Sequence, residues 1–85
     1  PIPDLSEERR KEMVKVAGKY AEASRVAIRN IRRDAIEAVR KAEKEGGMSE
    51  DERHGLENEA QKLTDRHISK VDDMLAQKEK DILSV

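Results

Sequence analysis

Two long stretches without proline, separated by a pair of glycines, constrain the fold of this chain more than any other feature. Proline is absent from residues 7–45 and from residues 49–83, and Gly46 and Gly47 lie between the two stretches. Proline inside a helix removes a backbone hydrogen bond and collides with the preceding turn, so its absence permits long helices. Glycine readily adopts the left-handed conformation that ends a helix. The pattern predicts two helices joined by a turn over residues 46–48.

Residues at the start of each stretch are suited to cap a helix. Ser6 stands before the first stretch, where its hydroxyl can accept a hydrogen bond from a backbone N–H of the first turn. Ser49 and Glu52 have the spacing of a capping box. These signals predict helices over residues 7–45 and 49–83, after a leading segment of residues 1–6.

Apolar residues recur every three to four positions in both stretches, which is the spacing of one helix face. In the first stretch they fall on one wide side of the helix: Met13, Val16, Ala17, Tyr20, Ala23, Ala27, Ile28, Ile31, Ala35, Ala38, Val39 and Ala42. In the second stretch the recurring positions are Leu56, Ala60, Leu63, His67, Val71, Met74, Lys78 and Ile82. We expect these two sides to form the core, with Tyr20, Met13 and Met74 packed inside it and His67 packed and hydrogen-bonded.

A short glycine turn favours antiparallel packing, so the predicted fold is all-α, a long antiparallel two-helix hairpin. Two helices bury little apolar surface, because a single core is marginal below about 70 to 80 residues. The apolar side of the first helix is also wider than one partner helix covers. The sequence therefore predicts a fragment of a larger helical bundle, completed by a missing third helix or by self-association with a second copy.

Composition narrows the classes of function. Charged residues make up 44% of the chain and aromatic residues 1%, and there is no cysteine, so neither a disulfide nor a thiolate site is available. No apolar run approaches the roughly 18 residues of a membrane span, and no signal peptide is visible. We expect a soluble, cytoplasmic protein that does not contact membranes. Residues 1–45 carry a net charge of +3 and residues 46–85 a net charge of −4, which favours the first half as the surface for a polyanion.

Four arginines stand out in the string "RVAIRNIRRDA": Arg25, Arg29, Arg32 and Arg33, with no acid among them. The first three fall within an arc of about 60° on a helix, beside the apolar side, where we expect them to be exposed. One interpretation is a solvated face, or one that pairs with acids on the neighbouring helix. The other is a phosphate-binding surface, because the planar guanidinium binds phosphate oxygens in pairs. With so few aromatic residues, folded RNA read by shape and backbone is favoured over stacked single strands.

Catalysis and metal binding find little support in the sequence. The two histidines, His54 and His67, are too far apart for a metal-binding pair at i, i+4 spacing. Catalytic carboxylates need a concave, desolvated pocket, which two helical rods do not provide. We therefore expect no enzyme activity, no cofactor and no metal site.

Essentially the whole chain resembles the ribosome recycling factor family. The resemblance is carried by "LSEERRKEMVKVAGKYAEASRVAIRNIRRDA", "EGGMSEDE" and "QKLTDRHISKVDDMLAQKEKDIL". It implies a two-domain protein, in which a small β/α/β domain is inserted after the first helix of a three-helix bundle. This chain corresponds to the second and third helices of the bundle. The N-terminal helix and the inserted domain are absent, and residues 1–3 continue a strand or linker from that domain.

The same resemblance implies a function in translation. In the family, arginines of the second bundle helix contact RNA of the large ribosomal subunit. By the matching string these are foremost Arg29 and Arg32, with Arg25 and Arg33 in support. The full-length factor acts after termination and splits ribosomes into subunits together with elongation factor G, which hydrolyses GTP and engages mainly the absent domain. The factor performs no covalent chemistry.

Two other classes of function remain open on the residues alone. One is a helical hairpin arm that binds transfer RNA, as in seryl-tRNA synthetases. The other is a purely structural coiled coil, although the drifting apolar spacing does not follow a strict heptad. Salt dependence separates these classes, because an RNA-binding surface loses affinity steeply with salt and an apolar helix contact does not.

Overall fold

The computed structural model describes residues 6–84, and in that range the chain forms two α-helices and no strand. Helix α1 spans Glu7–Lys44 and helix α2 spans Glu50–Leu83, against predicted ranges of 7–45 and 49–83. The predicted all-α hairpin is confirmed. The interpretation of residues 1–3 as a continuing strand or linker lies outside the described residues, as does Val85.

Both helices begin at the predicted capping serines. The Ser6 hydroxyl accepts a hydrogen bond from the backbone N–H of Arg9 at 3.1 Å. The Ser49 hydroxyl accepts one from the N–H of Glu52 at 3.1 Å, and the Glu52 carboxylate accepts the N–H of Ser49 at 3.4 Å. The second arrangement is the complete capping box. These bonds satisfy backbone donors that have no partner within the helix.

The turn between the helices is a Schellman motif. Gly46 has a φ of +83° and its N–H donates to the carbonyl oxygen of Glu43 at 3.0 Å. The N–H of Gly47 donates to the carbonyl oxygen of Ala42 at 2.9 Å. This pair of bonds satisfies the last carbonyl groups of α1 and reverses the chain, so α2 runs back along α1.

The helices pack on each other along one side of α1. The least exposed residues of α1 recur at spacings of three and four and mark this side: Val14, Gly18, Ala21, Arg25, Ile28, Arg32, Ile36 and Val39. Their counterparts on α2 are Ala60, Thr64, Ile68, Val71, Leu75 and Ile82. Among the described residues only Ala21 and Thr64 are buried. The core of this hairpin is therefore a single thin seam.

The predicted core is wrong for much of its list. Tyr20, Ile31 and Met74 are 73%, 68% and 70% exposed, and His67 is exposed as well. The apolar side of α1 is too wide for one partner, and α2 covers only its flank around Ile28. The rest of that side remains uncovered, as its width predicts.

The described part of the chain is a rod with extents of 70 × 15 × 12 Å. Neither helix in this part is long and apolar enough to cross a membrane. Almost every side chain is therefore close to the surface, and the surfaces of the two helices determine what the molecule can bind.

Candidate nucleic-acid interface

The structure divides the four arginines of the predicted interface into two pairs. We call this set, Arg25, Arg29, Arg32 and Arg33, the arginine stripe. Arg25 and Arg32 are half-buried and belong to the side of α1 that packs on α2, whereas Arg29 and Arg33 are exposed. The expectation that the whole stripe is exposed beside the apolar side is wrong for Arg25 and Arg32. The physical reason is that α2 packs on the flank of the apolar side next to the stripe.

Arg25 joins the two helices. Its Nε donates to Oδ1 of Asp72 at 2.8 Å and its Nη1 donates to Oε2 of Glu22 at 3.4 Å. Only 18% of the Arg25 side chain is exposed. The hydrogen bond that Arg25 donates to Asp72 raises the pKa of Arg25 above its ordinary value, and the negative charges of Asp72 and Glu22 add to that effect. For this residue the structure favours the interpretation of pairing with an acid on the neighbouring helix.

Arg32 lies between the helices, and one of its nitrogens is buried without a hydrogen-bond partner in residues 6–84. Its Nη1 donates to Oε1 of Gln61 at 3.0 Å, and Gln61 in turn donates to Oδ1 of Asp65 at 2.9 Å. The Nε of Arg32 is buried and has no hydrogen-bond partner among the described residues. A buried donor without an acceptor costs roughly 1 to 3 kcal/mol. The Arg32 guanidinium would recover that free energy by turning toward an acceptor outside the seam.

Arg29 and Arg33 are the accessible members of the stripe. The Nη1 of Arg29 lies 3.5 Å from Oε1 of Glu22, and the Nε of Arg33 lies 3.7 Å from Oδ1 of Asp34. Of the Arg33 side chain, 61% is exposed. Exposed ion pairs of this length contribute little, at most about 1 kcal/mol. Both guanidinium groups are therefore able to exchange these carboxylates for phosphate oxygens.

A second charged cluster lies between the stripe and the turn. Glu57 on α2 accepts hydrogen bonds from Nε of Arg40 at 2.8 Å and from Nη1 of Arg53 at 3.2 Å. The Nε of Arg53 also donates to Oε2 of Glu43 at 2.6 Å. The bond from Arg40 lowers the pKa of Glu57 below its ordinary value, and Arg53 contributes in the same direction. Arg40 is thus committed to an interhelical contact, although its position on the helix continues the stripe.

The two helices carry opposite charge. Helix α1 has 12 Lys and Arg against 7 Asp and Glu, a net charge of +5, and α2 has 6 against 10, a net charge of −4. Regional charge of this kind steers charged partners to one side of a molecule. A polyanion therefore meets the hairpin favourably on α1, where Arg29 and Arg33 project.

An apolar groove runs between the helices on the side that α2 leaves uncovered. We define it by the exposed residues Met13, Val16, Tyr20 and Ile31 of α1 and Leu63 and Met74 of α2. Arg32 and His67 also line it.

No three acidic or histidine side chains come together as a metal site in residues 6–84.

Comparison with known proteins identifies the family. The model of the ribosome recycling factor family matches residues 1–83. The chain belongs to the ribosome recycling factor family. It is 61% identical over 84 residues to ribosome-recycling factors of Gloeothece citriformis and Synechocystis. It is 55% identical over 85 residues to that of Hyphomonas neptunium.

These matches cover nearly all of this chain but less than half of each relative. They include 99% or 100% of the chain and 46% of the relatives' length. The chain thus spans about half the length of the curated relatives it matches.

The sequence predicts the arginines of the stripe but not the residues that they contact on α2. Asp72, Gln61 and Glu57 contact residues that stand 47, 29 and 17 positions away in the chain. Such partners follow only from the register of α1 against α2. Counting back from the Gly46 turn at equal rise along both helices places acids of α2 beside the stripe, and this is the signal in the sequence for these contacts.

Proposed function

We propose that this chain is the part of a ribosome recycling factor that binds RNA of the large ribosomal subunit. In the full-length protein it would recycle ribosomes in the cytoplasm after termination, by splitting post-termination complexes together with elongation factor G. The observation that carries the proposal is the 61% identity, over 99% of the chain, to proteins named ribosome-recycling factor. We assign the contact with elongation factor G mainly to the part of the relatives that this chain does not cover.

The geometry of the arginine stripe supports an RNA-binding role in which the four arginines have different functions. Arg29 and Arg33 are exposed and only weakly paired, so they are the side chains that reach phosphates directly. Arg32 donates to Gln61 on α2 and its Nε is buried, so it would contact RNA after its side chain turns away from α2. Arg25 is a positioning residue, because its contact with Asp72 on α2 holds α1, the helix that carries the other three arginines.

The proposed role requires no covalent chemistry in this chain. Binding across folded RNA needs a rigid, positively charged surface, and a long helix held by a second helix provides one. The free energy for splitting the ribosome would come from GTP hydrolysis by the partner factor. Family membership favours this role over the transfer-RNA-binding arm and over the purely structural coiled coil.

Sedimentation with purified large ribosomal subunits tests the RNA-binding role. We expect the chain to co-sediment at low salt and to bind less at higher salt, because phosphate contacts release counterions. The variant Arg29→Glu/Arg33→Glu should lose more than about tenfold in affinity, since each charge-assisted contact contributes roughly 1.5 to 3 kcal/mol. Circular dichroism should show unchanged helices, because neither side chain holds α1 on α2.

The matched control is Lys62→Glu/Lys70→Glu, which makes the same change in net charge on exposed positions of α2. It should bind nearly as well as the unmodified chain. Equal losses in the two variants would mean that binding reflects net charge and not the stripe. Binding that neither salt nor either variant changes would contradict the proposed RNA-binding surface.

A further inference from the structure

A line of exposed charged residues runs along α1 beyond both ends of the arginine stripe. At about 3.6 residues per turn, six positions of α1 fall within an arc of about 40°. All six are exposed, and we call them the basic ridge: Lys11, Lys15, Glu22, Arg29, Arg33 and Arg40. The ridge lies on the other side of α1 from Met13, Tyr20 and Ile31, which line the apolar groove. Its exposure therefore does not depend on what covers the groove.

Five of the six ridge residues are basic, and Glu22 is the exception. Two lysines precede it along α1 and three arginines follow it, over a length of about 44 Å at 1.5 Å per residue. A line of bases binds the phosphates of any nucleic acid that lies along it, whatever the sequence. Glu22 places a negative charge near the middle of this line, so the ridge is interrupted between Lys15 and Arg29.

The carboxylate of Glu22 is held beside the stripe and is still accessible. Its Oε2 lies 3.4 Å from Nη1 of Arg25, and its Oε1 lies 3.5 Å from Nη1 of Arg29. The Glu22 side chain is 56% exposed. A phosphate above Glu22 meets a like charge, and like charges in contact exclude unsuitable partners.

The effect of this charge is local. Arg33 stands about 16 Å farther along the axis of α1 than Glu22. Physiological salt screens exposed charges over roughly 8 Å. Phosphates beside Arg33 are therefore largely screened from Glu22, whereas phosphates over the middle of the ridge are not.

We propose that Glu22 is a specificity-determining residue, which interrupts the basic ridge so that regular double-stranded RNA does not bind along the whole of α1. A duplex carries phosphates at uniform spacing, so one that lies along the ridge places some of them beside Glu22. The folded RNA of a large subunit presents phosphates at irregular positions, and it can contact Arg29 and Arg33 without placing one above Glu22. The inference rests on the proposed function, because it concerns selection among RNAs by the same surface.

Fluorescence anisotropy with an RNA duplex of arbitrary sequence, longer than the ridge, tests the role of Glu22. Glu22→Gln removes the charge but keeps an oxygen that accepts hydrogen bonds from Arg25 and Arg29. We expect it to bind the duplex at least about fivefold more tightly at low salt, with a steeper loss of affinity as salt rises. Glu22→Asp keeps the charge and should bind the duplex as weakly as the unmodified chain. An unchanged duplex affinity in Glu22→Gln would overturn the proposal.

The matched control is Glu59→Gln, which makes the same change in net charge beside Leu63, on the groove side of α2. It should leave the duplex affinity within about twofold of that of the unmodified chain, because salt screens a charge away from the ridge. An equal gain in Glu22→Gln and Glu59→Gln would mean that net charge alone sets the affinity, and it would refute the role of Glu22.

Sedimentation with purified large subunits distinguishes this inference from the proposed function. Glu22→Gln should bind subunits within about twofold of the unmodified chain, so its preference for subunits over the duplex falls. Equal gains for subunits and duplex would overturn the proposal, because Glu22 would then weaken all RNA binding alike. If the unmodified chain does not bind large subunits, the proposed function fails, and the duplex measurements still decide whether Glu22 interrupts the ridge.

Discussion

Glu57 accepts hydrogen bonds from one arginine on each helix, and it thereby fastens α2 to α1 close to the turn. Its contacts are Arg40 at 2.8 Å and Arg53 at 3.2 Å, and most of its side chain is covered. Both guanidinium groups stabilise the ionised carboxylate, which is why the pKa of Glu57 lies below its ordinary value of 4.5. The contact therefore depends on pH through one identifiable group.

A carboxyl group with a lowered pKa in the folded state stabilises that state above its unfolded pKa. The contribution disappears as the pH falls from about 4.5 through the folded pKa. We expect the melting temperature of the unmodified chain to drop across this window, and that of Glu57→Gln to start lower and drop less. Melting curves at a series of pH values, followed by circular dichroism, provide the measurement. The control Glu59→Gln, at an exposed position of α2, should retain the full drop, and an equally reduced drop in both variants would contradict this role of Glu57.

Arg32 and Arg33 are neighbours in sequence but differ in exposure, because successive side chains on a helix point about 100° apart. Arg32 faces α2 and donates to Gln61, whereas Arg33 points to solvent beside Asp34. The sequence predicted a cluster of positive charge on α1, and the cluster is there. It could not sort buried from exposed arginines, because that depends on which flank of α1 the other helix covers.

At the scale of the elements, each helix end is held by contacts within a few residues of it. The capping box at Ser49 and the two bonds that close α1 at Gly46 and Gly47 are all local. Local patterns suffice to predict such ends, and the sequence placed them accurately. The face that each helix buries was predicted poorly, since Tyr20 and Met74 look like core residues until the number of partner helices is known.

Two glycine substitutions distinguish the contribution of the turn to stability from that of the helices. Gly46 has a φ of +83°, so Gly46→Ala forces a side chain into the left-handed region and should destabilise the hairpin by about 1 to 2 kcal/mol. Gly55 lies inside α2 with open space around it, and Gly55→Ala should stabilise the hairpin by up to about 1 kcal/mol. Urea unfolding followed by circular dichroism measures both changes. Effects of the same sign would show that the turn conformation is not what Gly46 supplies.

At the scale of the whole molecule, the hairpin topology orders the interhelical contacts by the length of chain that each one closes. The separations rise from the turn outward: 10 residues for Glu43–Arg53, 17 for Arg40–Glu57, 29 for Arg32–Gln61 and 47 for Arg25–Asp72. The entropy lost on closing a flexible loop grows with its length, by about 0.6 kcal/mol for each doubling. Once the contacts beside the turn have formed, each further contact closes only the few residues next to it.

The hairpin should therefore assemble as a zipper that starts at Gly46 and should open from the other end. Amide hydrogen exchange reports this order, because a segment that opens more often exchanges faster. We expect amides of α1 near Glu43 to exchange more slowly than those near Val14, toward the open end of the rod. Equal protection along α1 would mean that the two helices separate in one step. Protection that decreases along α1 away from the turn would mean that the two helices assemble in order from the glycine turn outward.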